Sequence, residues 1–176
     1  MALVLRPSIR SRNGVAYLTI RAWGSSTKCA DLGVIKNVKR SVVIDADLVS
    51  AAAGEIANHV RALVGRAAGW TVSTVAVGHS RRDDAFAVQI ARATASALGL
   101  EFAQVFENRF VPGVYHPKEC RNLPKLQVRI RPTMPVLLVD DIVTSGFHME
   151  EALTALRALG VAAFGVAWIG GSIKSE

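Results

Sequence analysis

The stretch Val136-Leu137-Leu138-Val139-Asp140-Asp141-Ile142-Val143-Thr144-Ser145-Gly146 sets two adjacent carboxylates after an apolar run, then two hydroxyls and a glycine. Each half suits a different ligand group. Paired carboxylates accept hydrogen bonds from a sugar diol. They also assist a hydrated Mg²⁺, which keeps several waters and takes one or two carboxylates. Thr144 and Ser145 donate to phosphate oxygens, and Gly146 lets the backbone come close. A helix beginning just beyond presents free N–H groups with a partial charge of about +0.5, which hold a monophosphate. A ribose 5-phosphate offers both the diol and the phosphate.

A second segment, Val75-Ala76-Val77-Gly78-His79-Ser80-Arg81-Arg82-Asp83, also runs from apolar residues into a short polar loop. Arginine suits pyrophosphate because its planar fork matches two phosphate oxygens. Gly78, His79, Ser80, Arg81 and Arg82 are the candidates there, with His79 also readable as a helix-entry residue. A third stretch, Asn108 to Arg131, is irregular and basic, with Arg109, Tyr115, His116, Lys118, Arg121 and Lys125.

Positioning these loops requires strands before them and helices after them. Val15–Arg21 alternates apolar and polar residues, as a half-buried strand does. Ser41–Ile44 reads as a short β-branched strand, and Asp45 or Asp47 as the N-cap of a helix over Leu48–Arg66 that ends near Gly69. Val72–Val77 is a further strand. Asp83 or Asp84 caps a helix over Ala85–Leu98, stopped by Gly99. Phe102–Phe106 and Leu126–Ile130 read as strands, the latter in a hairpin. Pro135–Val139 is a strand buried on both faces. Met149–Leu159 is a helix and Val161–Ile169 the last strand. This alternation defines an α/β fold with a central, mostly parallel sheet flanked by helices. Such sheets bind ligands beyond the carboxyl ends of their strands, where both loops fall.

The segment Val136–Gly146 resembles the PRPP-binding motif of the type I phosphoribosyltransferases: four apolar residues, two acids, two apolar residues, two small hydroxylated residues and glycine. The resemblance covers roughly Val72–Ile169, with Gly78–Arg82 similar to the family's pyrophosphate loop. It implies a type I phosphoribosyltransferase-like domain across residues 1–176. Residues 1–70 would form a small hood and first helix, residues 71–170 the core, and the basic stretch a flexible loop closing over the reaction. Asp140 and Asp141 would be the catalytic pair, facing the ribose hydroxyls and assisting Mg²⁺ through water or those hydroxyls. Val143, Thr144, Ser145, Gly146, Phe147 and His148 would complete the PRPP site. Phe147 and His148 depart from the family pattern. Thr144 stands where the 6-oxopurine members carry an acid, which disfavours a hypoxanthine or guanine acceptor. Tyr17 and Trp23 are candidates to stack on a base, or core residues.

The implied reaction transfers 5-phosphoribosyl from PRPP to a nucleobase-like acceptor and releases pyrophosphate, with Mg²⁺. A homodimer is common in the family. The alternative is a non-catalytic PRPP-binding or nucleic-acid-associated protein, ComF-like or divergent, which the net charge of +7 favours. A receiver-like Mg²⁺ fold is disfavoured because the acidic pair comes late in the chain. The 176 residues, 51 % of them hydrophobic, suit one folded domain. No apolar run reaches the roughly 18 residues of a membrane span, and Met1–Arg12 lacks a signal-peptide core, so the expectation is a cytoplasmic protein without a membrane partner. Cys29 and Cys120 sit in no metal-like spacing.

Overall fold

The computed structural model describes residues 3–24, 28–41, 43–76, 84–109 and 124–173. The chain opens with a hairpin of β1 (Leu3–Arg12) and β2 (Val15–Gly24). Asn13 and Gly14 join them with φ of 47° and 78°. A two-residue turn that matches strand twist needs two such positive values, and Asn-Gly adopts them with least strain. The sequence reading expected β2 but not β1, whose residues are mostly exposed and show no apolar alternation.

Helix α1 (Lys28–Arg40) follows. Of the strand expected at Ser41–Ile44, the described residues Ser41, Val43 and Ile44 lie in no strand, and Val42 is outside the described residues. The Ser41 N–H bonds back to the carbonyls of Asn37 and Val38 at 3.0 and 3.2 Å, and Val43 is 80 % exposed. A β-branched run becomes a strand only where a neighbour supplies its hydrogen bonds. Helix α2 (Ala46–Val64) starts where Asp45 accepts from the Asp47 N–H at 2.9 Å. It stops at Gly65, slightly short of the expected end.

Next come β3 (Thr71–Thr74), α3 (Phe86–Leu98) and β4 (Glu101–Phe102). The residue at the N-cap of α3 is Ala85, without a side-chain bond, rather than an aspartate. The strand expected over Phe102–Phe106 shrinks to two residues. Phe106 instead makes an isolated antiparallel bridge to Val128, which is what forms of the expected hairpin. The chain ends in β5 (Val136–Val143), α4 (Phe147–Ala158) and β6 (Ala163–Ile173).

The six strands form one sheet in the order β1-β2-β6-β5-β3-β4. Only the β1–β2 pair is antiparallel. Residues 3–24, expected within a hood, are thus the outer hairpin of this sheet. Alternate residues of each strand face opposite layers. Leu137, Val139, Val166 and Trp168 pack under α2 and α3, with Ile35 of α1. Val136, Leu138 and Tyr17 pack under Met149, Leu153 and Leu156 of α4. Among the described residues, no helix is long and apolar enough to cross a membrane.

One polar cluster ties α2 to the sheet. Arg21 Nε and Trp168 Nε1 both donate to Glu55 Oε2, at 2.7 and 2.8 Å. Burial pushes the Glu55 carboxyl up, but these donors and the Arg21 charge outweigh it and hold the carboxyl below its ordinary value. Stability from this group is therefore full above its unfolded value near 4.5 and is lost as pH falls through the lower folded value. Replacing Glu55 by Gln should lower stability by about 1–2 kcal/mol at pH 7. In urea titrations, the gap to wild type should narrow below pH 4.5.

Candidate functional site

Strand β5 is paired on both sides only in its first half. Its ladder with β3 ends at Thr74–Val139, while its ladder with β6 continues to Val143–Gly170. From β3 the chain crosses to β4 on one side, and from β5 it crosses to β6 on the other. Their helices lie on opposite faces. This is a topological switch point, where neighbouring strand ends diverge and open a crevice. Asp140 and Asp141 are the first residues of β5 beyond the β3 ladder.

Both carboxylates are nearly enclosed, at 9 % and 1 % exposure. Each turns back on the backbone: Asp140 Oδ1 accepts from the Asp141 N–H at 2.9 Å, and Asp141 Oδ1 from the Ile142 N–H at 2.7 Å. Lys39 of α1 reaches Asp141, donating to Oδ1 at 2.9 Å and lying 2.8 Å from Oδ2. The Lys39 side chain as a whole keeps 46 % of its surface exposed, while its ammonium is drawn against the buried acid. Burial alone would lower the Lys39 pKa, but the two aspartates outweigh it and the value is raised. Asp140 is pushed up to about 8, by burial first and by the neighbouring Asp141 charge second, against the pull of Lys39.

The loop from Thr144 to Gly146 leads directly into α4. Gly146 is the N-cap, at φ 77°, and the Phe147 N–H points to Ser145 Oγ at 3.4 Å. A methyl group there would lie 2.5 Å from the Tyr17 hydroxyl. Tyr17 itself is 4 % exposed beneath the loop. Burial pushes its phenol up, against the pull of Arg10 and Arg12. The hairpin braces the loop from outside. Arg12 Nη1 donates to the Ser145 carbonyl at 2.9 Å, and its Nε pairs with Glu150. Asn13 donates to the other Glu150 oxygen at 2.7 Å. Arg12 also lies 6.0 Å from the Phe147 ring centre.

Asp140, Asp141, Val143, Thr144, Ser145, Gly146, Phe147 and His148 therefore lie on one strand–loop–helix segment. They do not all face one space. Thr144 and Ser145 are exposed, Val143 is packed at 4 % exposure, and Phe147 is half-buried. His148 Nδ1 lies 3.3 Å from Arg109 Nη2, with the guanidinium as donor. Arg109 is 6 % exposed, grips Glu151 through both terminal nitrogens at 2.8 and 2.7 Å, and donates to the Pro124 carbonyl. Gly78, His79, Ser80, Arg81 and Arg82 lie outside the described residues, as do Tyr115, His116, Lys118 and Arg121. Trp23, a candidate base-stacking residue, is instead core, at 1 % exposure among α1 and α2 side chains.

A polar cavity of about 460 Å³ lies against the loop, lined by Thr144, Ser145 and Tyr17 together with Ser8, Arg10 and Ser11 of β1. Arg10, Arg12 and Lys39 were legible only as charges, because nothing in the sequence pairs them with residues more than a hundred positions away.

No protein-family model matches the sequence, and no curated protein matches it. Solved structures with a similar arrangement include a hypoxanthine phosphoribosyltransferase from Staphylococcus aureus, 11 % identical, with a TM-score of 0.44 over 81 % of this chain and 82 % of that one. Another, the hypoxanthine phosphoribosyl transferase of Trypanosoma cruzi, is 10 % identical, with a TM-score of 0.47 over 78 % and 80 %. The HGPRT-ase of Leishmania tarentolae is 16 % identical, with a TM-score of 0.41 over 79 % and 84 %. At these values none of them transfers a residue role to this chain.

Two outcomes test the site's construction. Gly146→Ala should destabilise the protein by about 1–3 kcal/mol, through strain at positive φ and contact with Tyr17. Adding Tyr17→Phe should recover part of that loss in a thermal-melt cycle. For Asp140 the sign is opposite to that of a paired carboxylate. The native state keeps a proton that the unfolded chain gives up near 3.8, so stability falls as pH rises from about 4 to about 8. Asp140→Asn should gain on wild type across that window in denaturant midpoints.

Proposed function

We propose that the chain is a phosphoribosyltransferase that holds PRPP at Asp140–His148. The observation that supports this most is the position of the acidic pair. It sits at a topological switch point, at the end of a buried parallel strand, with a hydroxyl-bearing loop and a helix N-terminus immediately after it. In this reading Asp140 and Asp141 accept from the ribose 2′- and 3′-hydroxyls. The loop N–H groups and the Thr144 and Ser145 hydroxyls hold the 5-phosphate. The C1–pyrophosphate bond breaks with positive charge growing on the sugar, and a ring nitrogen of the acceptor then bonds to C1. The buried acids stabilise that charge once Asp140 gives up its proton, and the loop fixes the sugar against it.

The donor set fits a Mg²⁺ carried with the substrate rather than caged by the protein. No group of three or more His, Cys, Asp or Glu side chains converges among the described residues, and Mg²⁺ on polyphosphates commonly takes only one or two carboxylates. When bound, it supplies positive charge to the departing pyrophosphate. Lys39 already meets the charge of Asp141, so Asp140 is the acid that a bound cation would draw into its charged form. Thr144 cannot serve as a base beside a purine, which argues for an acceptor other than a 6-oxopurine.

The Lys39–Asp141 pair also favours a second reading. An acid already neutralised by the protein suits binding without turnover, as in a PRPP-responsive or nucleic-acid-associated protein. Calorimetry with PRPP separates the readings from a failed assignment. Binding should be stronger with Mg²⁺ and should fall at least tenfold in the Asp140→Asn/Asp141→Asn double variant. Pyrophosphate release with a panel of nucleobases then marks the transferase, and binding without release marks the sensor. Absence of PRPP binding by wild type overturns both.

A further inference from the structure

We propose that Arg10, on the N-terminal hairpin, is a ligand for the phosphate monoester held by the Thr144–Ser145 loop, so that the anion is gripped from two sides. The inference deepens the proposed function and rests on it for the identity of the loop as a phosphate site. Its basis is the cavity between β1 and the loop. Hydroxyl-bearing Ser8, Ser11, Tyr17, Thr144 and Ser145 share its lining with Arg10, and among the described residues no carboxylate lines it. Ser8 Oγ is engaged with Thr19 Oγ1 at 3.0 Å. The volume, about 460 Å³, accommodates a phosphate with its sugar.

The arginines of the hairpin divide the work. Arg12 is committed to Glu150 and to the Ser145 carbonyl, so it shapes the loop and its charge is already met. Arg10 differs. Its Nε is buried and has no hydrogen-bond partner among the described residues. Among the described residues no acceptor meets this guanidinium, and an anion that enters the cavity beside it brings one to its terminal nitrogens. Phosphate does so best, because its oxygens match the guanidinium fork and a dianion meets the charge. The register places Arg10 opposite Tyr17, the residue on which Gly146 rests, so the hairpin fixes the distance between the guanidinium and the loop. A site built this way selects a phosphate monoester over the unphosphorylated sugar.

The test is calorimetry at fixed ionic strength with inorganic phosphate, ribose 5-phosphate, ribose and PRPP, on wild type, Arg10→Ala, Arg10→Gln and Arg10→Lys. Wild type should bind ribose 5-phosphate, with inorganic phosphate competing and ribose failing to bind. Arg10→Ala and Arg10→Gln should weaken ribose 5-phosphate and phosphate at least tenfold, and Arg10→Lys less, because an ammonium keeps the charge without the fork. Thermal melts establish that the variants are folded, and Arg10→Gln carries the comparison should Arg10→Ala not fold. Unchanged affinity in folded variants overturns the inference, as does failure of wild type to bind phosphate or ribose 5-phosphate. If PRPP binds wild type and the variants equally, the inference falls and the proposed function stands. If phosphate and ribose 5-phosphate need Arg10 but PRPP binds no more tightly than ribose 5-phosphate, with or without Mg²⁺, the inference stands and the PRPP reading falls.

Discussion

The hydrogen-bond ladder of β5 is the constraint on which the rest of this structure depends. Residues 136–139 are fully buried and bonded to a strand on each side. A strand so placed cannot slip by one residue without exchanging Leu137 and Val139 for Val136 and Leu138 between two different helix layers. The register is therefore rigid, and it determines where the chain first escapes pairing on the β3 side. That point is Asp140. The acidic pair, the glycine turn and the start of α4 follow at fixed distances along the chain, so the site inherits its precision from the core.

Polar groups at the strand end are stabilised by elements from elsewhere in the chain. Lys39 arrives from α1 and compensates Asp141, whose burial would otherwise be hard to support as a charge. Asp140 lacks such close compensation, and its raised pKa is the electrostatic consequence of two buried acids side by side. On the other side of the loop, Arg12 ties Ser145 and Glu150 to the hairpin. The loop is thus held from the sheet edge as well as from its own helix, which limits how far it moves relative to the acids.

The hairpin accounts for the largest difference between expectation and structure. The resemblance implied a small hood and first helix over residues 1–70, and residues 3–24 of that region extend the sheet and wall the cavity. The hairpin's turn carried a signal that the sequence reading did not use, because Asn13-Gly14 favours a two-residue hairpin. Strand β1 was not legible, because an edge strand with exposed Val4, Leu5 and Ile9 has no alternation to read. The Ser41–Ile44 run shows the converse: its residues favour a strand, but Ser41, Val43 and Ile44 lie in no strand ladder of the described residues.

The sequence by itself determined the elements whose burial repeats regularly and the segment whose chemistry is contiguous. Strand β5, helices α2, α3 and α4, a cap at Asp45 or Asp47 and the order of acids, hydroxyls and glycine from Asp140 to Gly146 all follow from local pattern, since adjacent residues settle them. Only the tertiary structure decided that Lys39 meets Asp141, that Tyr17 lies under Gly146, and that Arg10 and Arg12 face the loop. Those contacts join residues more than a hundred positions apart. They depend on β2 pairing with β6 and on α1 crossing the strand end, and no local propensity encodes which distant strand or helix will supply the partner.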